Sequence, residues 1–178
     1  PISLEWTSDS KRGSFQWENE ESASLMDLLE GLRDRQVEIA EKDPAGWRKT
    51  TLQERHKIMY EAANRLGEMR GDLIGCMCAV TGKTVVEGDV EVSEGIDYAR
   101  FYTTSMKQFA ELPDVDIAPK GTILVISPWN FPCAIPIGGI VAGLAGGLPV
   151  GLVGVGVAGL ADVLHVLAPL DPALDLLA

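Results

Sequence analysis

Thr122-Ile123-Leu124-Val125-Ile126 leads straight into Ser127-Pro128-Trp129-Asn130-Phe131-Pro132, and this junction decides the fold. Consecutive β-branched or aliphatic residues predict a strand buried on both faces, the pattern of a parallel sheet. The two prolines bracket Trp-Asn-Phe and keep a helix from starting before Pro132. The amide side chain of Asn130 is thereby placed at the carboxyl end of a buried strand, where open α/β sheets bind their ligands. On spacing alone, an asparagine there reads first as a turn amide that satisfies nearby backbone groups.

Working outward, the residues before this strand read as helices. Ser24 is placed to cap a helix running to about Glu41, with Leu25, Leu28, Leu29, Leu32, Val37 and Ile39 on its apolar side. Asp43-Pro44 ends it. Thr51-Leu52-Gln53-Glu54 is a capping-box pattern that opens a second helix to about Met69, striped by Ile58, Ala62, Ala63 and Leu66. Asp72 to Val80 predicts a short buried helix closed by Gly82. A fourth is expected from about Thr84 to Phe109, with Val92, Ile96, Ala99 and Phe101 favouring burial. Residues 1–22 are polar with Trp6, Phe15 and Trp17 interspersed, and read as an irregular arm.

The strings Trp47-Arg48, Leu52-Gln53-Glu54-Arg55-His56-Lys57-Ile58, Thr81-Gly82-Lys83-Thr84 and Glu94-Gly95-Ile96-Asp97-Tyr98-Ala99-Arg100-Phe101-Tyr102 precede Pro128-Trp129-Asn130-Phe131-Pro132 in a fixed order. In that order and spacing the chain resembles the aldehyde dehydrogenase superfamily from about Trp47 to about Gly147. The Glu94–Tyr102 string is most similar to the delta-1-pyrroline-5-carboxylate dehydrogenases, including the dehydrogenase module of bifunctional proline utilization proteins. The fold class so implied is α/β: a helical N-terminal layer leading into a Rossmann-like parallel sheet. Three segments follow: the arm at 1–22, a helical portion at 23–118, and the truncated start of a dinucleotide-binding domain at 119–178.

The resemblance also implies chemistry. The family oxidises aldehydes through a cysteine thiolate, a general base, oxyanion donors and a nicotinamide dinucleotide. Asn130 falls on the position that helps hold the developing oxyanion. Ile126, Ser127, Pro128 and Trp129 fall on positions that line the dinucleotide, although Trp129 reads equally as a core aromatic. Glu94 matches a helical glutamate near the aldehyde entrance, or is a solvated acid on a helix face. Lys83 reads as readily as a helix-flanking charge as anything functional.

Other parts depart from the family pattern. Cys76 and Cys78 lie in an apolar helix, where thiols are usually inert. Cys133 follows the motif, whereas the family's nucleophile belongs to a separate downstream domain, and that segment is not found here. The Glu-Leu-Gly-Gly segment bearing the general base is also not found. Val153-Gly154 stands where relatives carry Lys-Pro, and valine cannot donate to a ribose hydroxyl. Gly156-Val157-Ala158-Gly159 is not a Gly-x-Gly-x-x-Gly fingerprint. Weak dinucleotide binding and no turnover by this chain alone are expected, with NAD the cofactor of the intact enzyme and NADP also open.

Bulk properties bound the remaining classes. The net charge of −11 and the lack of a basic patch argue against nucleic acid. Three cysteines do not pair evenly, which fits a reducing, cytoplasmic setting. His56 and His165 have no partners at metal-binding spacing, so no metal is expected. A polar, acidic start is unlike a signal peptide. From Gly121 to Ala161 no charged residue occurs, and Gly138 to Ala178 uses only Gly, Ala, Val, Leu, Ile, Pro, Asp and His. Three readings of that tail stay open: a membrane span, disfavoured by Pro149 and the lack of basic flanks; a buried Rossmann segment; or residues standing in for others in the natural protein. A non-catalytic assembly module and a membrane-attached protein are accordingly the alternatives to the enzyme. For the enzyme, the partners expected are a small-molecule aldehyde and further copies of the chain.

Overall fold

The computed structural model describes residues 2–5, 14–17 and 20–154, which divide into two units at Arg35 and Gln36. In the first unit, strands β1 (Ile2–Glu5) and β2 (Ser14–Trp17) pair antiparallel, with Ile2 opposite Trp17 and Leu4 opposite Phe15. This corrects the expectation of an irregular arm. Apolar and polar residues alternate in both segments, which is the period of a strand, but each segment has only four residues. Helix α1 spans Glu20–Lys42 and starts one turn before the Ser24 cap that the sequence suggests. Of the stripe expected on this helix, Leu32 is exposed and Val37 and Ile39 are half-buried, while the side chains of Leu25, Leu28 and Leu29 lie outside the described residues; Ala40 is buried.

The second unit is a helical layer followed by a parallel strand pair. After a 3-10 turn at Trp47–Lys49 come α2 (Leu52–Glu68), α3 (Arg70–Thr81) and α4 (Val85–Ala110). Thr51 and Glu54 form the capping box foreseen for α2, and Thr84 and Glu87 form a second one that opens α4. Gly82, at φ 71°, closes α3 in the left-handed region. The buried side of α4 runs through Gly88, Glu91, Val92, Gly95, Ile96, Ala99 and Thr103, a helical period. Phe101 lies two residues past Ala99, on another face, and is exposed rather than buried.

Strand β3 (Ile123–Ser127), helix α5 (Ala134–Ala145) and strand β4 (Val150–Gly154) form a β-α-β unit, with β3 and β4 parallel and Ile126 in register with Val153. Helix α5 packs between the sheet and α4 because glycines let it approach. A Cβ on Gly139 would stand 2.9 Å from Cγ1 of Val125, and one on Gly95 of α4 would stand 2.9 Å from Cδ1 of Ile137. The helix ends in a Schellman motif: Gly147 N–H donates to Leu144 O at 3.0 Å and Leu148 N–H to Gly143 O at 3.0 Å, with Gly147 at φ 79°. Trp47, Met59, Leu66, Val92, Ile137, Ile140 and Leu144 make one core across both layers.

Among the described residues, no helix is long and apolar enough to cross a membrane. Within the apolar tail, residues 138–154 are helix, turn and strand of the β-α-β unit. Residues 155–178, with Gly156–Gly159 and His165, lie outside the described residues.

Candidate active-site segment

The turn between β3 and α5 carries the whole Ser-Pro-Trp-Asn-Phe-Pro motif. Val125 and Ser127 point into the body and Ile126 between them is 62% exposed, so β3 is here buried on one face only, and not on both as its unbroken apolar run suggests. Trp129 is 60% exposed, and Pro128, Asn130 and Phe131 are also exposed. The chain therefore turns back to solvent at the carboxyl end of β3 and buries itself again at Pro132 and Cys133. The exposed Asn130 amide makes no hydrogen bond to another described residue.

Ile126, Pro128, Trp129 and Asn130 are thus exposed together on one lip, and Ser127 is buried. Glu94 is placed elsewhere: half-buried on α4, it accepts the Tyr98 O–H at 2.8 Å. That bond is the main cause raising the Tyr98 phenol above its ordinary pKa. The Tyr98 ring in turn sits against Gly138 of α5. Among the described residues no hydrogen bond links Glu94 to the turn.

Sequence reasoning missed Glu91 and passed over Lys83. Glu91 is 1% exposed, and one carboxylate oxygen accepts the backbone N–H groups of Cys133 at 3.0 Å and Ala134 at 3.1 Å. Its other oxygen lies 2.6 Å from the Lys83 ammonium. The same ammonium stands 4.3 Å from the centre of the Phe131 ring, one residue past Asn130. A carboxylate here satisfies two of the unpaired donors that begin α5 and faces the positive end of its dipole. The sequence signal was an acid on the buried stripe of α4, between Gly88 and Val92.

The opposite end of α5 is held as firmly. Trp47 Nε1–H donates to Leu144 O at 3.0 Å and Arg55 Nε–H to Ala145 O at 3.2 Å, while Arg55 also donates to Thr50 O at 2.6 Å. Burial lowers the Arg55 pKa from its usual value, yet the guanidinium remains the cation facing the negative end of the helix.

Cys133 is no nucleophile. It is 1% exposed, and burial followed by the Glu91 carboxylate pushes its thiol up to about 12. His56 is half-buried against Tyr60, ring centres 4.4 Å apart, with its pKa lowered by burial and by Lys107. No group of His, Cys, Asp and Glu suited to a metal occurs among the described residues.

For a dinucleotide the turn offers an exposed apolar wall, Ile126 and Trp129, whereas the Ser127 hydroxyl is buried on the other face of β3, with no hydrogen-bond partner among the described residues. Strand β4 beside it consists of Val150-Gly151-Leu152-Val153-Gly154 and brings no side-chain donor. The flat rings of a dinucleotide fit the wall; its ribose hydroxyls find no donor on β4.

The aldehyde dehydrogenase family model matches residues 17–150, and the chain belongs to this family. It has the α/β fold of an aldehyde dehydrogenase in part, the helical layer and the first β-α-β unit. The chain is 33% identical over 114 residues to the alpha-ketoglutaric semialdehyde dehydrogenase of Bacillus subtilis, covering 58% of this chain and 23% of that protein. It is 29% identical over 126 residues to the 1-pyrroline-5-carboxylate dehydrogenase of Geobacillus, covering 65% and 24%. Among solved structures, proline utilization A (PutA) from Corynebacterium freiburgense superposes with a TM-score of 0.58 at 35% identity, over 78% of this chain and 14% of that one. The chain thus spans less than a quarter of the length of these relatives.

Proposed function

We propose that this chain contributes the oxyanion donor and the cofactor wall of an NAD-dependent aldehyde dehydrogenase that oxidises L-glutamate gamma-semialdehyde to glutamate. The observation that carries this is the free Asn130 amide on an exposed lip whose other members, Ile126 and Trp129, form an apolar wall. As the aldehyde carbon is attacked, its oxygen gains negative charge, and the Asn130 amide N–H donates to it. Ile126, Pro128 and Trp129 would hold the dinucleotide against the strand end, while the Ser127 hydroxyl, buried on the opposite face of β3, does not reach it. When bound, the nicotinamide supplies the acceptor for the hydride that leaves the substrate carbon. One relative is named for alpha-ketoglutaric semialdehyde and another for 1-pyrroline-5-carboxylate, whose ring-opened form is likewise a short acid bearing a terminal aldehyde, with an amino group in place of the oxo group beside the carboxylate. The likeness of Glu94–Tyr102 to pyrroline-carboxylate enzymes favours the amino acid.

The chain by itself is inactive under this reading. The thiolate and general base have to come from outside the described residues, because Cys133 is buried and protonated. A second reading, a non-catalytic relative serving assembly, draws on β4, which lacks a donor for the ribose.

The deciding experiment begins with the intact mass of the protein purified from its native source. The same material is then assayed for oxidation of both semialdehydes with NAD and with NADP. The enzyme reading expects a mass well above 19.1 kDa and NAD-linked oxidation of glutamate semialdehyde. It also expects N130A to lower kcat by about 10²–10³-fold. A protein of 19.1 kDa without activity would instead establish the non-catalytic relative.

A further inference from the structure

We propose that Glu91 and Lys83 are positioning residues for Asn130, clamping both sides of the turn so that its amide is presented in one geometry; this rests on the oxyanion role given to Asn130 above. The Asn130 side chain is exposed and bonds to no described residue, so nothing in its own contacts aims it. Its direction is set by the backbone on either side. Upstream, the turn is fixed by the ladder of β3 on β4. Downstream, Pro132 restricts the backbone locally but no local side chain caps α5: the residue before it is Cys133, whose side chain makes no cap hydrogen bond. The capping role is filled from another helix. Glu91 reaches across 42 and 43 residues of sequence to hold the Cys133 and Ala134 amides.

A carboxylate buried this deeply is costly unless it is paired and hydrogen-bonded. Two backbone N–H groups and the Lys83 ammonium, itself with only 14% of its side chain exposed, supply that compensation. Lys83 has a second task, because its ammonium also lies on the Phe131 ring next to Asn130. The residues that follow Asn130 are therefore tied to the start of α4 at Phe131, Cys133 and Ala134. A helix cap alone would need neither a buried charge nor a cation on Phe131; Ser or Asp at position 133 would do the same work locally.

The test uses the intact native protein with E91Q, K83M, K83R and N130A. Hydrogen exchange of peptides spanning 129–134 is followed beside steady-state kinetics. Expected are faster exchange confined to 129–134 in E91Q and K83M, and kcat lower by about 10–100-fold at unchanged KM, the loss typical of a misplaced group. K83R, which keeps a cation beside Glu91, is expected to restore most of kcat. Should E91Q fail to fold, K83M with the K83R rescue carries the same comparison. Unchanged exchange at 129–134 overturns the clamp. Faster exchange with wild-type kcat makes Glu91 a helix cap only and overturns positioning, as does equal loss in K83M and K83R. If N130A retains full kcat, or the wild type has no dehydrogenase activity, the oxyanion reading fails and positioning falls with it. A slow N130A beside a fully active E91Q refutes positioning alone.

Discussion

Trp47 donates its indole N–H to the carbonyl oxygen of Leu144 across 97 residues of sequence, at 3.0 Å and in the core. It joins the start of the helical layer to the last turn of the helix that follows the motif. With Arg55 on Ala145 and Glu91 on Cys133 and Ala134, α5 is anchored at both ends by side chains from the preceding layer.

Replacing Trp47 by Phe keeps an aromatic ring but removes the donor and leaves the Leu144 carbonyl buried without it. Leu144 O keeps the Gly147 N–H, so a loss of about 0.5–1.5 kcal/mol is expected for the one hydrogen bond, plus a packing loss from the lost ring volume. Urea unfolding with an unchanged slope would measure it. A W47F protein as stable as the wild type would show that the bond contributes nothing.

Two glycine-to-alanine changes should act in opposite directions. A Cβ on Gly75 of α3 meets nothing within 4 Å, so G75A gains helix propensity of about 0.5–1 kcal/mol. A Cβ on Gly139 meets Val125 Cγ1 at 2.9 Å and Cγ2 at 3.1 Å, both on a stiff β-branched side chain. G139A should lose about 1–3 kcal/mol through overpacking. Thermal melts of the two variants, read beside the wild type, check the sign of each.

The Cys133 thiol, at about 12 when folded against an ordinary value of 9.0, gives a pH dependence. Between these values the unfolded chain has released the proton and the native protein still holds it, so stability falls as pH rises. The contribution is complete below pH 9 and lost on approaching 12. C133A should flatten the alkaline limb of a stability profile, and iodoacetamide should reach Cys133 only after unfolding. Fast native-state alkylation mapped to Cys133 would contradict its burial.

Thr84 accepts the Glu87 N–H at 3.3 Å, and the Glu87 carboxylate accepts the Thr84 N–H at 2.9 Å. T84A should destabilise the protein by about 1 kcal/mol. The bond from the Thr84 backbone, and then that from its hydroxyl, lower the Glu87 pKa. The carboxylate's share of stability is therefore present above its ordinary value of 4.5 and is lost as pH falls through the lower, folded value. E87Q should show a shallower acid limb in the same melts.

What could be read from the sequence was whatever a few adjacent residues dictate. Thr51-x-x-Glu54 opens α2, Gly82 closes α3, and the apolar run before Ser127 is the parallel strand, because caps, left-handed glycines and burial patterns act over one or two turns of chain. The motif itself pointed to Asn130 and its neighbours, of which Ile126, Pro128, Trp129 and Asn130 are exposed and Ser127 is buried. Short range is also why Ile2–Glu5 and Ser14–Trp17 were not seen as a strand pair: each is too brief to show its period, and pairing is decided by the other strand.

Burial on α4 shows where local reading ends. A phenylalanine is expected in the core by its chemistry and a glutamate at the surface by its charge, yet Phe101 is exposed and Glu91 is 1% exposed. Helical phase places Glu91 toward α5, and only the folded arrangement supplies the amides of Cys133 and Ala134 and the ammonium of Lys83 that make a buried carboxylate tolerable. The sequence by itself determined the helices of the second unit, the strand before the motif and the family motif with Asn130 in it. The tertiary structure alone decided what holds that residue in place, because those partners are far apart in the chain and meet only when α5 packs on α4.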